Sequence, residues 1–107
     1  MPGPPRRSRR RRTGTSRCSP PWRKATWLYD HGKPCAREAN TAKYLCADAG
    51  FDAADRALQT HGGMGYSEEY HIARYFREAR LLKIAPLSQE MVLNYLGSHV
   101  LGLPRSY

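Results

Sequence analysis

Three glycines fall within four residues at Gly62-Gly63-Met64-Gly65, directly behind Gln59-Thr60-His61. A turn of this kind bares backbone N–H groups, which can receive phosphate or carbonyl oxygens. It is not a dinucleotide fingerprint: the stretch before it is helical, and no third glycine stands at the required spacing. It lacks the Gly-Lys-Ser/Thr ending of a phosphate-binding Walker loop, and the chain has no Gly-x-Ser-x-Gly nucleophile elbow. On residues alone a ligand loop and a plain helix–helix turn both stay open, with the plain turn favoured.

Other reactive side chains are less organised. His31, His61, His71 and His99 show no metal-ligand spacing with Cys18, Cys35 and Cys46, so no metal site is expected. The adjacent pair Glu68–Glu69 points in two directions on a helix and reads better as first-turn acids near a positive helix end. Arg74, Arg77 and Arg80 stand three apart. They could grip an anion, but a solvated or salt-bridged face is the simpler account.

The elements that would position these residues are helical. A short helix is expected over 23–31, stopped by Gly32 and Pro34. The alanine-rich stretch 36–60 predicts a long helix, alanine being the strongest helix former. Ala39, Ala42, Cys46, Ala49, Ala53 and Ala57 make a small-residue stripe along it that admits a close neighbour. The glycine cluster ends that helix, and Ser67 is expected to cap the next, which carries Ile72, Tyr75, Phe76, Ala79 and Leu82. A third main helix follows Ala85, with Pro86 at its first position. The fold class is therefore all-α: part of an antiparallel helical bundle with three main helices, after a disordered basic segment.

Charge is distributed unevenly. The chain has 107 residues and a formal charge of +9. Residues 1–24 hold eight Arg, one Lys and no acid, and residues 25–107 hold nine bases and nine acids. The first segment contains one large apolar residue, Trp22, so it cannot offset the entropy of ordering. A nucleic-acid or importin tail, a mitochondrial presequence and a non-native leader all fit its composition, and the leader is favoured. The domain division expected is thus 1–24 and 25–107. No apolar run approaches the roughly 18 to 20 residues of a membrane span, and three cysteines with no CxxC spacing, an odd number that suits no closed disulfide set, fit a reducing compartment. The cytoplasm is expected, or the mitochondrial matrix in a eukaryote.

The segment ALQTHGGMGYSEEYHIARYFREARLLKI, Ala57 to Ile84, carries a helix ending in Gln, a Gly-Gly-x-Gly turn, an acid–Tyr pair and an Arg-acid-Ala run. In that order and spacing it resembles the C-terminal helical domain of acyl-CoA dehydrogenases, and the resemblance extends from Ala25 to the end. It implies a flavoprotein that oxidises the CH–CH bond of an acyl-CoA thioester to a 2-enoyl-CoA, with FAD as cofactor and homodimers or homotetramers built through the bundle. It further implies that Gln59, Thr60, His61, Gly62 and Gly63 contact the FAD of a neighbouring subunit near its adenosine and pyrophosphate.

Many members carry the catalytic base in a Glu-Gly-Thr run beyond the Arg-acid-Ala segment. Ungapped alignment from Arg77-Glu78-Ala79 places Pro86, Leu87 and Ser88 there. Ser88 stays a flavin-contact candidate. Pro86 takes no proton and has no N–H for the thioester carbonyl. A missing base costs about 10²- to 10⁴-fold in rate and a missing oxyanion donor roughly 10²- to 10³-fold. The chain alone is thus expected to be inactive, with Glu90, one turn on, as a weak replacement base. The alternative is a non-enzymatic helical module whose basic tail engages nucleic acid or acidic partners; nucleic-acid binding is the less favoured reading.

Overall fold

The computed structural model describes residues 15–105, with side chains from Pro20 onward. Helix α1 spans Thr15–Asp30, α2 Ala36–His61, α3 Gly63–Tyr66, α4 Ile72–Leu81 and α5 Gln89–Tyr95, and a π-helical turn follows at Leu96–Val100. No strand occurs among the described residues. The all-α expectation holds, and the long helix begins at the expected residue.

Helix α1 starts earlier than the expected Arg23. It runs through Pro20 and Pro21, so residues 15–24 are helical where disorder was expected. Each proline removes one ladder hydrogen bond, but its φ is already close to helical. The rest of the expected disordered segment, 1–14, lies outside the described residues. At its other end α1 closes as anticipated: Gly32 has φ +63°, its N–H donates to Tyr29 O at 3.0 Å, and Lys33 N–H donates to Leu28 O at 2.9 Å. These paired bonds satisfy carbonyls a helix end would leave orphaned. The chain then turns back into α2, and the hairpin is tied by Lys24–Glu38 at 3.2 Å.

Helix α2 is the axis of the fold, with α1, α3, α4, α5 and the π-turn all packed on it. Its small side chains make this possible. Ala42, Ala47 and Ala49 are buried, and Val92 of α5 is 1% exposed. The burial covers the middle of the expected stripe, while Ala39 and Ala53 are exposed. Trp27, Tyr66, Leu81, Ile84 and Leu101 are among the large apolar residues left in solvent. The Cα radius of gyration is 18.2 Å, against about 13 Å for a compact domain of this length. The bundle is open, with apolar surface that no described residue covers.

Two expected helix starts move. Ser67 does not cap α4: its hydroxyl accepts from Glu69 N–H at 3.3 Å, and α4 begins at Ile72, so Glu68 and Glu69 lie in the preceding turn rather than in a helix. A local serine turn has won over the helix cap. Likewise Pro86 stands outside α5. Ser88 caps that helix, its hydroxyl accepting from Met91 N–H at 3.3 Å, because an acceptor in position for the first free amides outcompetes a proline start.

Candidate functional site

The glycine turn is shaped by its own backbone. Gly62 has φ 59° and ψ −138°, a conformation that L side chains rarely adopt. Gly62 N–H donates back to Gln59 O at 3.1 Å, and Gly65 N–H donates to Gly62 O at 3.0 Å. Gly65 is buried, and a Cβ on it would lie 2.6 Å from the Leu58 carbonyl oxygen. Gly63 differs: its φ is ordinary and a Cβ there would meet nothing within 4 Å. Two glycines are thus required by the fold, and one leaves a bare, open surface.

Gln59, Thr60, His61, Gly62 and Gly63 are all exposed and form one continuous ledge at the end of α2. Thr60 Oγ1 donates to Arg56 O at 2.8 Å, leaving its lone pairs outward. His61 Nδ1 lies 2.7 Å from Ala57 O; since a carbonyl only accepts, Nδ1 carries the proton and Nε2 is left for an outside group. At Gly63 and Met64 the short α3 begins, and first-turn amides have no acceptor within their helix. Five of the expected site residues thus stand exposed at one end of α2, with bare amides at Gly63 and Met64, while Gln59 and His61, two apart on the helix, point to different sides. That donor set fits the phosphate and ribose oxygens of a dinucleotide.

Beside the ledge, α2, α3 and α4 enclose a cleft of about 560 Å³ whose lining includes Leu58, Tyr66 and Phe76, with Asp55, Glu68 and Arg77 among its charged groups. None of the ledge residues lines it. Phe51 and Phe76 pack at 5.2 Å, and Arg80 lies over the Phe51 ring at 5.8 Å. Arg74 pairs with Glu78 at 3.7 Å. The three arginines are exposed, and of them Arg74 is paired along its own helix.

Ser88 and Pro86 belong to a different place. The α4–α5 loop lies against α2 near Lys43 and Tyr44: Lys43 Nζ donates to Leu82 O and to Leu87 O at 2.9 Å, and Gln89 Nε2 donates to Tyr44 O at 3.4 Å. Along α2 this is about 25 Å from the glycine ledge at the helical rise per residue. Pro86 lines a cleft of about 310 Å³ with Lys43, Cys46, Ala47, Leu82 and Ala85. No carboxylate lines it, and Glu90 stands outside it, exposed in the first turn of α5. Lys43 escaped the sequence reading: its partners lie 39 and 44 residues further on, and no local pattern announces them.

Among the described residues no helix is long and apolar enough to cross a membrane, and no group of three His, Cys, Asp or Glu could hold a metal.

A helical bundle with a glycine ledge at the end of its axial helix defines a domain class, and comparison with known proteins identifies it. Residues 22–101 match the family model "Acyl-CoA dehydrogenase, C-terminal domain", and the chain belongs to that family. Acyl-CoA dehydrogenase FadE12 of Mycobacterium tuberculosis is 51% identical over 86 residues, covering 78% of this chain and 22% of the relative. The (2S)-methylsuccinyl-CoA dehydrogenase of Cereibacter sphaeroides is 48% identical over 60 residues, covering 56% and 11%. The solved butyryl-CoA dehydrogenase from Megasphaera elsdenii superposes with a TM-score of 0.77 at 32% identity, covering 82% of this chain and 23% of that one. The chain spans less than a quarter of the length of these relatives.

Proposed function

We propose that this chain serves the acyl-CoA dehydrogenase reaction, FAD-dependent oxidation of an acyl-CoA thioester to its 2-enoyl form, as the part that holds flavin between subunits. The observation that carries this is the ledge at the end of α2, where Gly62 is held at positive φ and Gly63 is bare without any need of the fold. Gln59, Thr60, His61, Gly62 and Gly63 hold the adenosine and pyrophosphate of a neighbouring subunit's FAD. Ser88, about 25 Å away along α2, serves the other flavin of a homodimer or homotetramer. The exposed apolar face of the open bundle supports such assembly.

When bound, the flavin supplies the hydride acceptor. This chain's own residues bind and orient it and supply no base: Pro86 occupies the aligned position, and its cleft holds no carboxylate. The chain alone is therefore inactive, and Glu90, exposed in the first turn of α5, does not line that cleft. The compartment that suits this reading is the cytoplasm, or the mitochondrial matrix in a eukaryote.

The test is a graft of residues 22–101 in place of the matching end of the Megasphaera elsdenii enzyme. Flavin absorbance should survive desalting, dehydrogenation should be weak, and Pro86→Glu should raise it by about 10²-fold or more. A graft that folds but carries no flavin would sink the proposal.

A further inference from the structure

We infer that Lys43 is the positioning residue of the α4–α5 loop. This rests on the reading of that loop as the substrate-facing segment of the family's reaction. One ammonium closes both ends of the loop. It donates to Leu82 O, the cap position of α4, and to Leu87 O at 2.9 Å, directly before the Ser88 cap of α5. The chemistry suits a lysine: carbonyls at a helix C-terminus lack partners and carry the negative end of the dipole. An ammonium offers three donors that can serve two oxygens at once.

The loop needs such a tether. Ala85 and Pro86 have no polar side chain and Pro86 has no N–H; the loop's own backbone bonds, such as Ala85 N–H to Leu81 O at 2.8 Å and Gln89 N–H to Lys83 O at 3.1 Å, do not reach α2. Its other ties to α2 each hold one point: Lys83 Nζ to Asp48 Oδ1 at 2.9 Å and Gln89 Nε2 to Tyr44 O. From α2, Lys43 bonds to both ends of the loop. It also lines the 310 Å³ cleft together with Ala85 and Pro86, so its reach sets where that wall stands. Both ammonium contacts are donations to carbonyls, which marks Lys43 as a clamp and not a base.

The experiment is amide hydrogen exchange on the full 107-residue chain, read at the hydrogen-bonded loop amides of Lys83, Ile84, Ala85 and Gln89. Lys43→Met is expected to speed their exchange about 10- to 100-fold, the scale of losing hydrogen bonds to a charged donor, with the α1–α2 hairpin unchanged. Lys43→Arg, which keeps a charge and several donors, should restore much of the protection. Lys83→Met, which cuts a one-point tie, should move these amides less. Unchanged loop exchange in Lys43→Met overturns the inference, as does an unprotected loop in the parent chain or an equal rise across α1 and α2. In the Pro86→Glu graft, Lys43→Met should lower kcat about 10- to 100-fold at constant flavin content; loss of flavin in step with kcat would reduce Lys43 to a general stabiliser. The exchange arm needs no flavin, so a graft that retains none defeats the functional reading and leaves the clamp to stand or fall by itself.

Discussion

The turn after α2 and the loop after α4 both leave a helix and re-enter another, yet they differ in how far other helices hold them. The glycine turn is fixed from within: positive φ at Gly62, a buried Gly65 against the Leu58 carbonyl, and back-bonds spanning three residues. The α4–α5 loop has backbone bonds of its own but is also held from outside, by Lys43, Asp48 and Tyr44 on another helix. A backbone-determined turn keeps its shape while its surface stays bare, which suits holding an extended anionic cofactor. A loop tethered from another helix can keep its position while its own residues, Ala85 and Pro86 among them, carry no polar side chain.

Substitutions can break or sharpen this contrast. Gly65→Ala should be the most damaging, because a Cβ 2.6 Å from backbone oxygen has nowhere to go; about 3 kcal/mol is expected, at the top of the overpacking range, read as a fall in urea midpoint. Val92→Ala removes two methyls from the best-buried side chain, at 1% exposure. It should cost about 1.5–2.5 kcal/mol through transfer and cavity terms, with calorimetry as the check. Gly62→Ala should cost about 1–2 kcal/mol for its left-handed φ. Gly63→Ala should change stability by less than about 0.5 kcal/mol while weakening flavin retention in the graft. Equal losses at Gly62 and Gly63 would show that the turn is not divided between fold and ligand as described.

The smallest effect belongs to the α1–α2 hairpin. Its own backbone N–H, and then the Lys24 ammonium, hold the Glu38 carboxyl below the ordinary glutamate range. A folded pKa below the unfolded one stabilises above the unfolded pKa and is lost as pH falls through the folded value. The chain should therefore exceed Glu38→Gln slightly in stability at neutral pH, and the two should converge in acid. A gap that persists at low pH would assign the difference to something other than charge.

What the sequence disclosed follows the same division. The α2 boundaries, the stop at Gly32 and the breaking role of Gly62 depend on residues within a few positions of one another, and all were legible. Helix starts were legible only where one local signal stood alone. At Ser67 two local hydrogen-bond options compete, and the nearer backbone amide prevailed; at Pro86 a better cap two residues on moved the start to Gln89. Lys43 was invisible because its partners are set by how α2 and α4 pack, and the chain spacing that joins them carries no period. The ledge was legible as a glycine cluster, but which glycines the fold needs was not: that depends on the Leu58 carbonyl standing over Gly65.

The histidines carry one more implication. His31, His61 and His99 each place Nδ1 against the carbonyl four residues back, on Trp27, Ala57 and Tyr95 at 2.8, 2.7 and 3.3 Å. His99 Nδ1 also lies 2.9 Å from Ser98 Oγ, a hydroxyl that can donate to it, but at His31 and His61 the carbonyl only accepts, so Nδ1 carries the proton and Nε2 faces outward. Any electrophile, alkylating reagent or soft ion that reaches them from solvent meets Nε2 and leaves a uniform regiochemical mark. The chain thus presents two like reporters, one at the end of α1 and one on the glycine ledge, and the order in which they are labelled maps which of these ends a partner covers.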